Sequence, residues 1–229
     1  MKLSVIIPVY NEEKTIANVI KKVRGCGIAD LEIIVVNDCS ADGTKDVLDN
    51  ENMPATVRVF HHEVNQGKGA AIRTAQRHVT GDAVVIQDAD LEYDPAELPG
   101  LFKHIEDGRA DVVYGSRYSG REILVDTFWH YVGNKALTTF SNMLSNLHLT
   151  DMETCYKMIR ADIFKDLTLE CDRFGIEPEV TAKLAKRRCR IYEIPISYQA
   201  RRFDEGKKIG WKDGLAALWY IVKFNIFSR

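Results

Sequence analysis

The cysteines of this sequence do not occur in the patterns that disulfide frameworks or zinc sites require. The five cysteines are widely scattered, their number is odd, and no two of them form a CxxC pair. We therefore expect reduced thiols in a cytoplasmic compartment. No apolar run reaches the ~20 residues that a membrane-spanning helix needs. Lys2 leads directly into a strand-like run, so no signal peptide is expected.

A strong excess of either charge is also missing. The net charge is −2, so the chain as a whole gives no case for binding nucleic acid. The contents of 45% hydrophobic and 28% charged residues are typical of a globular protein, and no internal repeat or low-complexity tract is evident. A length of 229 residues is enough for one large α/β domain or two small ones.

Apolar runs and helical patterns alternate along the first half of the chain. Strands are predicted over residues 3–9, 32–37 and 56–60, and in the run that ends before Asp88, with helices over 12–24, 44–50 and 67–79. Nearly unbroken apolar strands separated by helices predict a mostly parallel sheet of the α/β class. Further strands are predicted over 111–118 and 190–194, the latter at the sheet edge because Pro195 cannot donate a hydrogen bond.

Two carboxylates follow one of these strands. In the run that ends Gln87-Asp88-Ala89-Asp90, the apolar residues stop abruptly at an Asp-x-Asp triplet. Ligands of open α/β sheets bind outside the carboxyl ends of strands, and carboxylates there suit Mg²⁺ or Mn²⁺ that also holds phosphate oxygens. The alternative is that Asp90 caps a turn and Asp88 is merely solvated.

Two other loops lie at the same predicted edge. Residues 8–12 follow the first strand, and residues 37–40 follow the second. Asp38 can accept hydrogen bonds from a base N–H, and Tyr10 can lie against the base, so a nucleotide pocket is one interpretation. The other is that Asn11, Asp38 and Ser40 cap helices.

A glycine pair precedes the third predicted helix. Gly67-Lys68-Gly69 resembles a phosphate loop, but the full P-loop spacing and its Ser or Thr are missing. A helix start beside Lys68 is still a fair site for an anion.

Four sequence blocks, in order, resemble glycosyltransferase family 2. They are Pro-Val-Tyr-Asn-Glu from Pro8, Val-Val-Asn-Asp-Cys-Ser-Ala-Asp-Gly-Thr around Asp38, Asn-Gln-Gly-Lys-Gly-Ala around Lys68, and Asp-Ala-Asp from Asp88. The resemblance implies the GT-A fold, a nucleotide-diphosphate sugar donor linked to GDP or UDP, an Mg²⁺ or Mn²⁺ cofactor and inversion at the anomeric carbon.

The resemblance also implies roles for individual residues. The nucleoside would be held by Pro8, Tyr10, Glu12 and Asp38. The metal and the diphosphate would be held by Asp88 and Asp90, with Lys68 as a further nucleotide contact. Glu92 stands where dolichol-phosphate mannose synthases carry a glutamine near the metal, so it is a third candidate ligand.

The second half of the chain indicates the acceptor. Residues 151–157 resemble the acceptor-side block of the polyprenol-phosphate sugar synthases, although Thr-Cys-Tyr-Lys replaces a smaller block that contains Ser or Gly. Arg117 can form a two-pronged contact with phosphate or a weak surface ion pair. A basic cluster follows, formed by Arg201, Arg202, Lys207 and Lys208. In the resembling family such a loop closes over the phosphates of donor and acceptor.

These observations predict an inverting glycosyltransferase that moves a hexose (mannose, glucose or N-acetylglucosamine) to a polyprenyl phosphate. The expected organisation is one domain over 1–229, with a nucleotide-sugar half at 1–118, an acceptor half at 119–210 and a C-terminal helix at 211–229. One alternative is a hydroxyl acceptor, with Asp151 as the base that takes its proton. A second is a sugar nucleotidyltransferase, although its first loop would be expected to be rich in glycine.

Two segments predict amphipathic helices. In the first, an apolar stripe runs from Phe128 to Leu147. Core packing is its default explanation, and a helix that lies on the membrane surface or guides the lipid is the alternative. In the second, one side is shared by Leu215, Leu218, Trp219, Val222 and Ile226. Its apolar part is too short to span a bilayer, but it can lie in the interface or pack on the sheet. Because polyprenyl chains lie in the bilayer, we expect a peripheral protein on the cytoplasmic face of the cell membrane.

Overall fold

We describe the protein from a computed structural model. It describes residues 1–50, 53–120, 127–173, 175–200 and 211–228, with side chains from 214 onward in the last of these segments.

A mixed β-sheet forms the centre of the fold. Within the described residues it has seven strands in the order β3-β2-β1-β4-β6-β5-β7. The strands are β1 (Leu3–Val9), β2 (Leu31–Asn37), β3 (Val57–His61), β4 (Ala83–Ile86), β5 (Val112–Ser116), β6 (Lys157–Arg160) and β7 (Ile191–Pro195). All neighbouring pairs are parallel except the two that involve β6. The predicted α/β class and mostly parallel sheet are confirmed, and β7 lies at the edge as predicted.

Helices pack around this sheet. They are α1 (Ile16–Arg24), α2 (Thr44–Leu48), α3 (Lys68–Gln76), α4 (Leu98–Glu106), α5 (Phe128–Ser145), α6 (Ala161–Lys165), α7 (Ile176–Lys186) and α8 (Trp211–Val222). A π-helical turn, Lys223–Phe227, continues α8. In α1 the residues that share the apolar face are buried, namely Ile16, Val19, Ile20 and Val23, as their helical spacing predicts.

Strand β6 is the strand that the sequence analysis missed. It is only four residues long and runs antiparallel between β4 and β5. Because it runs backwards, the loop that precedes it arrives at the carboxyl edge of β4 and β5. Strands from both predicted halves of the chain therefore share one sheet, and their buried residues form a common core.

The core explanation for the predicted stripe on α5 is wrong for much of its length. The fully buried residues of α5 are Thr138 and Ser141, whereas Phe128 and Met143 are 66% and 74% exposed. The cause is hydrogen bonding, because the polar side of the helix binds the loop before β6. There, Thr138 Oγ1 accepts from the Met152 amide at 3.1 Å.

Helix α8 also turns its predicted stripe away from the core. Its buried residue Ile221, together with Phe224 of the π-helical turn, packs inward. On the predicted stripe, Leu215 and Trp219 are 57% and 59% exposed. Within the described segments, no helix combines the length and the apolar character needed to cross a membrane.

Candidate active site

The loops after β1 and β2 are fastened together at the carboxyl edge of the sheet. The Asn11 amide donates to Ser40 Oγ at 2.9 Å, and the Ala41 amide donates to Asn11 Oδ1 at 2.8 Å. Tyr10 lies on this surface and is 40% exposed. Glu12 is held by its own helix start, where Thr15 Oγ1 donates to its Oε2 at 2.8 Å. With Pro8 near the end of β1, three of the four residues predicted to hold the nucleoside meet at this edge.

Asp38, the fourth, is a buried anchor for the loop that leads into α3. Its Oδ1 accepts from the Gln66 amide at 2.8 Å and lies 2.7 Å from His62 Nδ1, and its Oδ2 accepts from the Gly67 amide at 2.7 Å. The side chain is 3% exposed. These contacts give Asp38 a structural role that sequence reasoning did not identify, while its contact with a nucleobase stays a prediction.

Lys68 lies between two carboxylates. Its Nζ is 2.9 Å from Asp88 Oδ1 and 2.9 Å from Glu177 Oε1 at the start of α7. Burial alone would lower the pKa of Lys68, but these two carboxylates, together with Cys155, raise it well above its ordinary value. Lys68 is thus a fixed positive charge beside the predicted metal ligand.

The glycines around Lys68 serve close backbone packing. A Cβ at Gly69 would lie 2.0 Å from the Cys171 carbonyl oxygen, and Gly67 has a φ of +100° that favours glycine. The Ala70 amide donates to the Asp172 carbonyl at 3.1 Å. The structure therefore argues against an anion site at the start of α3, because backbone from the 171–172 segment covers it. A nucleotide contact from the Lys68 side chain stays a prediction.

Asp90 and Glu92 belong to one turn after β4. Asp90 Oδ1 accepts from the Glu92 amide at 3.1 Å, and Tyr198 Oη donates to Glu92 Oε2 at 2.5 Å. Among the described residues, no group of three or more acidic, His or Cys side chains is close enough to hold a metal ion. Asp88 and Asp90 still fit Mg²⁺, which is usually bound through one or two carboxylates together with substrate phosphates and water.

Arg117 and Asp151 form a buried, two-pronged ion pair. Arg117 Nε donates to Asp151 Oδ2 at 2.7 Å, and Arg117 Nη2 donates to Oδ1 at 2.8 Å. Burial alone would raise the pKa of Asp151, but Arg117 keeps it below its ordinary value. A low pKa disfavours the predicted role of Asp151 as a base. The paired guanidinium likewise disfavours a two-pronged phosphate contact by Arg117, unless the pair breaks.

Backbone strain concentrates in the loops of this edge. Asn11, Cys39 and Leu91 have φ values of 54°, 58° and 64°, in the left-handed region that non-glycine residues rarely adopt. They lie in the loops after β1, β2 and β4 respectively. Strain of this kind is common at functional sites, where the surrounding structure imposes it.

The basic cluster of the sequence analysis cannot be placed. Arg201, Arg202, Lys207 and Lys208 lie outside the described residues. Sequence reasoning also gave no role to Glu177, Tyr198 or Glu153. No pattern in the sequence singles out Glu153, because it shares its block with Asp151 and Lys157, and the enclosure of its oxygen is visible only in the structure.

The fold and the site together define a class. A mostly parallel sheet flanked by helices, with an Asp-x-Asp turn at its carboxyl edge, is the GT-A fold of nucleotide-sugar glycosyltransferases. Among solved structures, glucosyl-3-phosphoglycerate synthase from Mycobacterium tuberculosis, in complex with Mn²⁺, UDP and phosphoglyceric acid, has this fold with a TM-score of 0.73. It is 20% identical, and the match covers 98% of this chain and 78% of that one.

The sequence comparison narrows the class to a family. The profile described as Glycosyl transferase family 2 matches residues 4–168, and the chain belongs to that family. It is 32% identical over 234 residues to the low-salt glycan biosynthesis hexosyltransferase Agl6 of Haloferax volcanii, covering 99% of this chain and 53% of Agl6. It is 29% identical over 238 residues to the undecaprenyl-phosphate mannosyltransferase of Micrococcus luteus, covering 100% and 96%. The chain thus spans about half the length of the archaeal relative.

Proposed function

We propose that the protein is an inverting glycosyltransferase that moves a hexose from a GDP- or UDP-linked sugar to a polyprenyl phosphate. The reaction would take place at the cytoplasmic face of the cell membrane. The name of the Micrococcus luteus relative supports an acceptor of this class. The observation that carries the proposal is the outward apolar face of α8.

This outward face consists of exposed apolar side chains on α8 and its π-helical turn. They are Leu215, Leu218, Trp219, Ile226 and Phe227, with exposed fractions between 38% and 70%. Exposing such a row of apolar groups to water costs free energy, so the row favours contact with a lipid or protein partner. A short helix of this kind fits the plane of a bilayer interface, where tryptophan is enriched.

Helix α5 adds a second apolar surface. Phe128, Trp129 and Tyr131 at its start are 66%, 78% and 45% exposed, and α5 packs against α8. Its opposite side holds the loop before β6, where Asn142 pairs with both the amide and the carbonyl of Leu149 at 3.0 and 2.8 Å. Helix α5 would therefore lie between a bilayer on its exposed face and the loop predicted to meet the acceptor.

The chemistry of a phosphate acceptor suits this site. A phosphate monoester has a second pKa near ~6 and is largely ionised at pH 7, so it needs no strong base. This agrees with the low pKa of Asp151, which makes that carboxylate a poor proton acceptor. The tasks left to the protein are alignment of donor and acceptor and neutralisation of their charges.

Named residues can divide these tasks. Asp88 and Asp90 would hold Mg²⁺ or Mn²⁺, which would act as a Lewis acid on the leaving diphosphate. Lys68 keeps the Asp88 carboxylate in place, and the Arg117–Asp151 pair fixes the backbone around residue 117, because the Arg117 amide also donates to Asp151 Oδ2 at 3.1 Å. Arg201, Arg202 and Lys208 are proposed as phosphate contacts on their sequence resemblance alone.

Vesicle flotation with matched variants tests the proposal. We expect the protein to float with anionic vesicles that contain polyprenyl phosphate, and Leu215→Ser/Trp219→Ser to reduce the floating fraction several-fold without loss of fold. Val64→Ser is the control, because Val64 is also 63% exposed but belongs to the loop between β3 and α3 and to neither helix. Full solubility with such vesicles, together with equal turnover of short water-soluble acceptors, would favour the hydroxyl-acceptor alternative.

A further inference from the structure

Two enclosed oxygen atoms in the loop before β6 have no hydrogen-bond partner. They are Glu153 Oε1 and Thr154 Oγ1, and they are the buried side-chain polar atoms that stand alone in the described part of the chain. Thr154 is fully buried. Enclosing a polar atom without a partner costs about 1–3 kcal/mol, so native structures keep such atoms mostly where a ligand or water completes them.

Glu153 lies among charges of both signs. Arg117 and Lys157 attract its carboxylate, while Glu177 and Asp151 repel it. Lys157 is itself buried, and its ammonium donates to the Thr154 carbonyl. Burial, followed by the charge of Glu177, raises the pKa of Glu153 to about 7. Near neutral pH this carboxyl group is therefore present in both forms, and it can donate or accept a hydrogen bond.

The position of Glu153 relates it to the proposed donor site. Arg117, whose charge acts on Glu153, follows β5 at the carboxyl edge. Glu177, whose charge also acts on Glu153, shares Lys68 with Asp88, the proposed ligand of the metal and diphosphate. Glu153 is thus within electrostatic range of both the Arg117–Asp151 pair and the Lys68 cluster, in the loop that reaches the carboxyl edge of the sheet.

The chemistry of the two enclosed oxygen atoms indicates which part of the substrates they would bind. A phosphate group would bring further negative charge next to ionised Glu153, and the neighbouring charges do not favour it, because Glu177 and Asp151 offset Arg117 and Lys157. A polyprenyl chain would leave both oxygens without partners. A sugar hydroxyl both donates and accepts, so it matches a carboxyl oxygen and a threonine hydroxyl.

We propose that Glu153, together with Thr154, is a specificity-determining site that binds a hydroxyl group of the transferred hexose. This inference rests on the proposed function, because it assumes a nucleotide-diphosphate sugar at the carboxyl edge of the sheet. It adds the residue that distinguishes one hexose from another. A site built around a hydroxyl discriminates strongly against a sugar that places that hydroxyl elsewhere, since its own polar atoms are then left unpaired.

Binding measurements without acceptor test the proposal. The full chain with Mn²⁺ is titrated with UDP, GDP, UDP-glucose, UDP-N-acetylglucosamine and GDP-mannose, and the Kd of each ligand is compared between wild type, Glu153→Gln and Glu153→Ala. For the hexose conjugate that wild type prefers, we expect Glu153→Ala to weaken binding by roughly tenfold or more. Binding of the matching nucleoside diphosphate should change less than about twofold, and the preference among hexoses should narrow.

The controls separate the possible results. Glu106→Gln alters an exposed glutamate at the end of α4. It should change neither the Kd of the hexose conjugate nor that of the nucleoside diphosphate. Glu153→Gln keeps the shape of the side chain, so it serves if Glu153→Ala folds poorly. Two results for the Glu153 variants would overturn the hexose site and leave the proposed function standing. One is an equal loss of affinity for the hexose conjugate and for the nucleoside diphosphate. The other is lower turnover with unchanged binding of the donor. If wild type binds none of the five ligands, the proposed function fails, and the hexose site fails with it.

Discussion

Two glutamates at opposite edges of the same sheet have opposite environments. Glu32, near the start of β2, accepts hydrogen bonds from Ser4 Oγ at 2.5 Å and from the Thr80 amide at 2.7 Å, and Lys2 and Arg58 add ion pairs. Burial alone would raise the pKa of Glu32, but these hydrogen bonds lower it to about 2. Glu153, in the loop at the carboxyl edge, has an enclosed oxygen without a partner and a pKa raised to about 7.

The difference separates stability from function. At the amino edge each donor that surrounds Glu32 belongs to the protein, so the fold gains from the ionised carboxylate. At the carboxyl edge the unpaired oxygen of Glu153 destabilises the fold. A ligand that forms a hydrogen bond with this oxygen would offset the destabilisation. Of the five described non-glycine residues with positive φ, Asn11, Cys39 and Leu91 lie in loops of the carboxyl edge, whereas Arg188 lies at the amino edge.

The largest effect is expected for Asp88→Asn. Loss of this carboxylate should lower turnover by roughly 10²–10³-fold, because it would weaken charge stabilisation at the diphosphate. The free energy of unfolding should fall by no more than about 1–2 kcal/mol, because Asp88 fills no core space and Lys68 keeps Glu177 as a second ionic partner. Steady-state kinetics and chemical denaturation measure the two quantities.

A matched variant at the other edge provides the control. Asp82 is exposed and accepts from the Lys2 amide at 2.7 Å. Asp82→Asn should leave turnover unchanged. If Asp88→Asn turns over normally, with and without a chelator, neither the metal site nor the functional role of this edge is correct.

Glu32→Gln should be the most destabilising change at the amino edge. Lys2 and Arg58 would each lose an ionic partner, and we expect a loss of about 2–3 kcal/mol at neutral pH with normal turnover of the folded protein. Because the folded-state pKa is lowered to about 2, the stability from ionised Glu32 is present above its ordinary pKa and is lost as the pH falls from about 4.5 toward 2. The difference in the free energy of unfolding between wild type and variant, measured by urea denaturation, should fall to zero over that pH range. A gap that stays constant would contradict the assignment.

Glu153→Gln should have the opposite pH dependence. A folded-state pKa raised to about 7 means that the fold favours the protonated form, so wild type loses this contribution as the pH rises from about 4.5 to 7. The variant cannot ionise, and it should become the more stable protein above pH 7 by about 1–2 kcal/mol. Denaturation at pH 5 and pH 8 measures the change. A variant that is less stable than wild type at pH 8 would show that ionised Glu153 already has partners within the protein.

The smallest effect is expected at a strained residue of the amino edge. Arg188 is exposed, follows the end of α7 and has a φ of 53°. Glycine is the preferred residue at such a position, so Arg188→Gly should raise stability by about 0.5 kcal/mol or leave it unchanged, with full activity. The same substitution at Leu91 is the comparison, and there we expect lower activity. If both glycine variants keep full activity, backbone strain does not distinguish the two edges of the sheet.

Much of the nucleotide half could be predicted from the sequence. Unbroken apolar runs identified β1, β2 and β4, because strands buried on both faces leave such a signal. Parallel strands place their following loops at one edge, so Asp38 and Asp88 were assigned to the correct side of the sheet. The second partner of Lys68 was not predictable, since the Lys68–Glu177 contact joins residues that are 109 positions apart.

The acceptor half was harder for a physical reason. Strand β6 has only four residues and begins with Lys157, so neither its length nor its pattern marks a strand. The apolar stripe of α5 indicated only part of the buried face. Phe140, Leu144 and Leu147 pack against the core, but the fully buried residues are Thr138 and Ser141. Hydrogen bonds with the neighbouring loop, in which Thr138 accepts and Asn142 donates, bring the polar side of the helix inward as well. Periodicity records hydrophobicity and contains no information about such contacts.

The placement of β6 also has a consequence for the order of folding. Strands β1 to β4 can pair as soon as they are synthesised, but β5 borders only β6 and β7, and both follow it in the chain. The free edge of β4 therefore stays open until residues 157–160 insert beside it. Open edges of this kind invite pairing with other chains. Because the inserted strand brings the loop with Asp151 and Glu153 to its place, closing the sheet and completing the candidate site are one event during biosynthesis.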